Sequence, residues 1–388
     1  MTGTKVSARL AGSVAEIGAT VWNACANPLG ATDPHPFTRY EFFDALEKSG
    51  SAVAHTGWRP LHLVVEHGEQ VEGILPLYLK SHSQGEYVFD HAWADALERA
   101  GAAYYPKLQA CVPFTPVTGR RFLIAPDADP VATRTALLAG GSATVEQLKV
   151  SSLHITFPTE DEWATAGEFG YLQRTDRQFH WENPGYTTFD EFLAELSSSR
   201  RKTLRKERAS VREAGVEFDW LIGRDITEAH WDMFFEFYMD TGGRKWGTPY
   251  LTREFFSRIG QSMAEQILLV MARRDGRYIA GALNLFGERI LFGRNWGCTE
   301  FVPFLHFETC YYQAIDFAIA RGLTKAEAGA QGEHKLLRGY QPVPTYSAHF
   351  IAHAGLRRAV ADYLLAERNA VAANIEELNE AGPYKKDA

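Results

Sequence analysis

The chain carries one pattern of apolar and polar positions twice. Residues 60–80, PLHLVVEHGEQVEGILPLYLK, read as an apolar strand, a glycine turn and a second strand. Residues 266–287, QILLVMARRDGRYIAGALNLFG, follow the same grammar. Gly68 and Gly73 match Gly276 and Gly281, each pair 208 residues apart. The match runs the length of both hairpins and points to an internal duplication. Elsewhere the periodicity predicts a helix over 36–50, with Thr38 as N-cap, Glu41 three residues on and Gly50 as the stop. After the second hairpin it predicts a strand at 288–297 and a half-buried helix at 304–320, stopped by Arg321-Gly322. A short strand, KAEAGA, a last strand at 345–353 and a long C-terminal helix complete the chain. The expected division is a first unit over 1–185 and a second over 186–388, each with an antiparallel hairpin at its centre.

Composition narrows the class. A length of 388 residues suits two domains, and 45% apolar residues suffice for full cores. The formal charge of −8 disfavours a broad nucleic-acid surface. Cys25, Cys111, Cys298 and Cys310 form no C-x-x-C pair, so free thiols in a reducing compartment and no metal site are expected. The N-terminus lacks the apolar core of a secretory signal, and no run of 18 apolar residues spans a membrane. A cytoplasmic protein is expected, with contact at the inner face of the membrane left open.

Several clusters carry chemistry. Glu333, His334 and Lys335 follow the short strand, flanked by Gln331 and by glycines. On an extended segment Glu333 and Lys335 face one side and His334 the other. A lysine there can hold an oxyanion, and either neighbour can take a proton; a solvated loop with a surface ion pair is the plainer reading. Arg201, Arg205 and Arg208 share a helical face at i, i+4, i+7, suited to phosphates or merely to solvent. His306 and Cys310 share a face beside Glu308, as a nucleophile pair or as packing. Lys80, His82, Tyr105 and Lys107 mix basic and aromatic groups around loops, fitting a phosphorylated or glycan-bearing ligand or an internal interface. Trp246 follows Arg244-Lys245, and Arg294 stands two residues before Trp296; cation–π packing and a substrate wall both fit.

The stretches GWRPLHL, PLYLKSHSQGEYVFD, YYPKLQACVPFTPVTG, LHFETCYYQ and GAQGEHKLLRGYQP carry a family likeness. Through them the chain resembles the bacterial peptidogalycan biosynthesis/recognition proteins, predicted N-acyltransferases related to the Fem-type aminoacyltransferases. The resemblance runs from about residue 36 to about residue 365. It implies an α/β fold: a tandem pair of GNAT-like units, mixed central sheets flanked by helices, with the catalytic cleft on the second. It implies N-acyl transfer, an activated acyl group passing directly to a primary amine of a cell-envelope precursor through a tetrahedral intermediate. The expected co-substrate is an acyl-CoA or acyl carrier protein thioester, with no tightly bound cofactor. Ceramide-synthase-like acylation of a sphingoid amine, a Fem-type aminoacyl-tRNA donor, and a non-catalytic precursor-binding protein are the alternatives. Fem enzymes carry a lysine in an F-K-x-G-F-G-like turn; Lys335 with Gly339-Tyr340 is the nearest match, at longer spacing. The usual Q/R-x-x-G-x-G/A loop of GNAT enzymes is replaced by WGCTEFVPF, which argues against ordinary acetyl-CoA binding.

Overall fold

The computed structural model describes residues 6–31, 33–245, 249–329 and 332–385. Its strands are β1 (Val6–Ala11), β2 (Trp58–Pro60), β3 (His62–His67), β4 (Gln70–Leu75), β5 (Leu77–Lys80), β6 (Lys107–Ala110), β7 (Leu123–Ile124), β8 (Ser152–Thr156), β9 (Leu172–Glu182), β10 (Val216–Ile222), β11 (Ile267–Arg274), β12 (Arg277–Phe286), β13 (Ile290–Cys298), β14 (Lys325–Glu327) and β15 (Gln341–Ile351). Two compact units divide the chain: Met1–Asp176 with Pro344–Ala373, and Arg177–Val343 with Asn374–Ala388. The single cut expected near residue 185 is therefore replaced by an interleaved one. The reason is pairing: Ser347–Ile351 of β15 adds antiparallel to β8, which carries that part of the chain into the first unit.

In the first unit β1, β3, β4 and β7 form an antiparallel sheet in that order. Leu63, Val65 and Leu75 from its central hairpin pack under the helix Pro130–Leu148, with Leu137, Leu138 and Val145 facing them. In the second unit β10, β11, β12 and β13 repeat the order, again antiparallel; β14 then adds parallel to β13, and β9 antiparallel to β14. Leu268, Val270, Ala282 and Leu291 build the core there against Tyr312, Ile315 and Phe317. The two hairpins thus hold the same place in two four-strand runs, as the duplication requires.

Two glycines show why the hairpins look alike in sequence. A Cβ on Gly73 would lie 2.5 Å from Thr133 Cγ2, and one on Gly281 would lie 2.9 Å from Met271 Sδ and 3.0 Å from Phe234. Each glycine is where a helix closes on its hairpin. The turns differ by one residue. Gly68 opens its two-residue loop, whereas Gly276 closes the other, after Asp275 at φ +51°. The predicted helix at 36–50 starts later than expected. Pro36–Thr38 form a 3₁₀ turn and the helix is Tyr40–Lys48, because Thr38 uses its hydroxyl on the His35 carbonyl and does not cap.

Candidate active site

The segment after β14 makes one 3₁₀ helix, Glu333–Arg338, where an extended strand was expected. Gly332 starts it at φ +112°, and a Cβ there would fall 2.3 Å from the His334 ring. With three residues per turn, consecutive side chains point roughly 120° apart. Glu333, His334 and Lys335 therefore diverge in three directions. Glu333 turns to solvent, its side chain 66% exposed, and pairs with Arg177 at 3.1 Å. His334 meets the hydroxyl of Tyr311 at 2.8 Å. Lys335 points inward, 2% exposed, and donates to the carbonyl of Gly329 at 3.0 Å.

Burial pushes the Lys335 ammonium down to about 7; the nearby Cys310 thiol opposes the shift and Arg294 adds to it. At neutral pH such an amine is partly unprotonated and can trade a proton with a substrate. Arg294 and Cys310 both line a pocket together with Asn284, Trp296, His306 and Tyr311. The pocket follows from how the sheet ends. β14 pairs with β13 only over Ile290–Phe292, and among the described residues Gly293–Cys298 are paired on the β12 side alone. The two parallel strands have parted, and Ala328, just past the end of β14, becomes pocket wall.

The helix over the pocket is irregular. The single helix expected at 304–320 is α-helical over Leu305–Phe307, π-helical over Glu308–Tyr312 and α-helical again over Gln313–Ala320. A π segment adds one residue to a turn and re-aims the side chains around it. His306 packs on Trp296 with ring centroids at 5.3 Å and on Tyr311 at 5.3 Å; Phe307 packs on His334 at 5.5 Å. Glu308 points away from the pocket, to Arg208 at 2.9 Å and Gln313 at 2.9 Å.

The 3₁₀ turn is anchored by a pair that sequence reading missed. Arg338 donates to buried Glu207 at 2.7 Å, lies over the Phe307 ring at 3.4 Å and donates to the His334 carbonyl at 2.7 Å. Glu207 also accepts from Tyr312. Glu207 lies inside the run of cations at 200–208, where it reads as a charge balance; its burial, with only 6% exposed, is the signal that identifies it. Tyr311 was equally hidden, an aromatic among aromatics until its hydroxyl found His334.

The basic helix Ser198–Glu213 does not present the expected phosphate-binding face. Arg201 donates to the carbonyls of Ala194 and Leu196, closing the preceding helix. Arg205 pairs with exposed Asp190, and Arg208 binds Asp316 at 2.5 Å beside Glu308 while lying over Phe189. The guanidiniums already have partners within their own unit.

The first-unit candidates form a closed ionic cluster in place of a ligand site. Lys80 and Lys107 are fully buried. Lys80 sits 3.4 Å over the Trp58 ring, and Lys107 binds Glu86 at 2.6 Å, Ser83 at 2.8 Å and Asp90. Tyr105 bonds Ser83 at 2.8 Å. His82 holds the Thr56 carbonyl and the Gln84 N–H, which fixes a turn. Trp246 and Gln331 lie outside the described residues. Among the described residues no group of three or more His, Cys, Asp or Glu is placed to hold a metal ion. No described helix is long and apolar enough to cross a membrane.

Residues 13–386 match the model of the FemAB-like family, described as "Peptidogalycan biosysnthesis/recognition". A crystal structure of FemX is similar with a TM-score of 0.54 at 13% identity, covering 85% of this chain and 95% of that one. L-PGS from Bacillus licheniformis is similar at 0.51 and 10% identity, covering 86% and 98%. A tandem GNAT protein from the clavulanic acid biosynthesis pathway is similar at 0.50 and 10% identity, covering 90% and 99%. No curated protein sequence matches significantly. At these identities the structural likeness establishes the fold, a tandem pair of GNAT-like units.

Proposed function

The chain belongs to the FemAB-like family, and from that premise we propose that its second unit transfers an activated acyl group to a primary amine of a cell-envelope precursor. The observation that carries this reading is Lys335: a buried amine near pH 7 beside a pocket where β13 and β14 part. The parted edge of β13 offers backbone groups to an extended donor such as the amide-bearing arm of a thioester carrier. An acyl-CoA or acyl carrier protein thioester is the donor we favour. As the amine attacks the carbonyl carbon it must shed a proton, and neutral Lys335 accepts it. The resulting ammonium then stabilises negative charge on the tetrahedral carbon's oxygen or returns the proton to the leaving thiolate. His334, held by Tyr311, faces the same region and orients the acceptor. Glu333, solvated and paired with Arg177, has no part in this chemistry.

A second acceptor class is favoured by one observation. Phe301 is 90% exposed on the loop leading into the helix over the pocket, and Leu337 is 38% exposed one 3₁₀ turn beyond His334. Apolar groups left in water on segments that adjoin the pocket-lining helix and the Lys335 turn suit an acceptor with a hydrocarbon chain, such as a sphingoid amine.

The deciding experiment supplies the protein with acyl-CoA, acyl carrier protein thioester or aminoacyl-tRNA. Each donor is paired in turn with a muramyl-peptide amine and with a long-chain amine, and amide product is followed by mass spectrometry. Amide formed from a thioester donor supports the reading, and the acceptor consumed decides between the two classes. Product from aminoacyl-tRNA alone would move the protein to the Fem-type donor, and no product from any pair would leave the binding-protein reading.

A further inference from the structure

Cys310 stands where the reaction has to happen, yet a single-displacement transfer gives it nothing to do. It is one of the pocket-lining side chains, on the π-helical segment, and is partly accessible. Its neighbours are those a reactive thiol needs. Lys335 interacts with it electrostatically, and Arg294 lines the same pocket, so a thiolate there faces cations. Tyr340 is a second, independent feature. It is fully buried, its hydroxyl has no hydrogen-bond partner among the described residues, and it interacts electrostatically with Cys310 and Tyr311. A buried hydroxyl is costly without a partner, so a donor left open beside a thiol points to a group that arrives during the reaction.

We propose that transfer proceeds by double displacement through a thioester on Cys310, in place of the direct attack expected from the sequence. The proposal rests on the thioester-donor reading above. In the first half, neutral Lys335 takes the thiol proton and the Cys310 sulfur bonds to the donor's carbonyl carbon. The bond from that carbon to the carrier's sulfur breaks, and the carrier leaves as a thiol with the proton from Lys335. In the second half the acceptor amine bonds to the same carbon, the carbon–Cys310 bond breaks, and the amine's proton passes through Lys335 to the Cys310 sulfur. No electrons change hands, and the enzyme returns to its starting state. Cys298, also partly accessible and on neighbouring β13, is not among the residues that line the pocket and is the internal control.

The test uses the full chain with dodecanoyl-CoA and no amine acceptor, read by intact-protein mass spectrometry after acid quench and by free-thiol release. The expected result is one dodecanoyl group per molecule, a matching burst of CoA, removal by neutral hydroxylamine, and a peptide map placing the group on Cys310. Cys310→Ala should lose the adduct and at least about a hundredfold in amide formation, the scale set by losing a group that acts in the transition state. Cys298→Ala should lose neither. Cys310→Ser covers the case where alanine upsets folding: with an unchanged melting curve it should form either no adduct or an ester more resistant to hydroxylamine. Catalysed amide formation from dodecanoyl-CoA without any adduct, or amide formation by Cys310→Ala within about twofold of wild type, would overturn the double displacement and leave the thioester reading standing. Neither CoA release nor amide from wild type with any thioester would remove that reading and this proposal together.

Discussion

Lys80 in the first unit and Lys335 in the second have lost their water, and burial pushes both ammonium groups down to about 7. Their company differs. Lys80 lies over Trp58, donates to the Gln84 carbonyl at 3.2 Å and has Glu86 at 3.8 Å; burial pushes the Glu86 carboxyl up to about 7. Beside them, burial alone would raise the Asp90 carboxyl, but Lys107 and His154 hold it well below the usual carboxylate range. That cluster closes its charges on one another. Lys335 donates to the Gly329 carbonyl and has as electrostatic neighbours Cys310 and Arg294, two residues that line a pocket. A shifted lysine therefore marks burial in both units; what sets Lys335 apart is that its charged neighbours line an opening, whereas those of Lys80 are closed on one another.

The comparison can be broken in four places, from the largest effect down. Lys107→Met leaves Glu86 and Asp90 as buried carboxylates without their main cation, and should cost about 3–5 kcal/mol of stability. Urea melts would show this, with transfer per folded molecule retained; loss of transfer at full stability would put the first unit into the chemistry. Lys335→Met should do the reverse, lowering transfer about a hundredfold, roughly 3 kcal/mol, without lowering the melting temperature. The same variant carries a pH signature. Between about 7 and the ordinary lysine value of 10.5 the unfolded chain holds a proton that native Lys335 lacks. Wild type should therefore gain stability from Lys335 as pH rises through that window, and the variant should lose that part of the slope. Arg338→Met removes the partner of buried Glu207 and the hold on the His334 carbonyl. The expected cost is about 1–3 kcal/mol in stability together with a several-fold drop in kcat; an unchanged kcat would show that the turn holds its shape unaided. Glu333→Gln should change transfer by less than about twofold, since a surface ion pair contributes about 0–1 kcal/mol. A large loss there would restore Glu333 as the base.

Much of the fold was legible because hairpins announce themselves. Alternation, turn glycines and the matched pairs Gly68/Gly276 and Gly73/Gly281 mark the tandem units in the sequence itself. The interleaved boundary was not legible. Nothing in the local pattern of Thr345–His353 says that it pairs with β8 of the other half of the chain. At the candidate site, the glycines around Lys335 marked a turn, but the directions of its neighbours were not readable, because a 3₁₀ turn and a strand end look alike over six residues. The cations at 200–208 misled for a general reason. Sequence shows charge but not partners, and Arg201 and Arg208 were already bound to carbonyls and carboxylates. Glu207, the residue in that helix that supports the site, was visible only as buried.

The most direct test of Lys335 as the working amine is the pH dependence of kcat/KM for amide formation. A base with a value near 7 must be unprotonated to act, so wild type should rise with pH through about 7 and level off above it. Lys335→Met should keep a small rate without that inflection. Glu86→Gln, which removes one of the first unit's two groups of similar value beside Lys80, should leave the inflection where it is. An inflection near 7 that survives in Lys335→Met, or disappears in Glu86→Gln, would contradict the account.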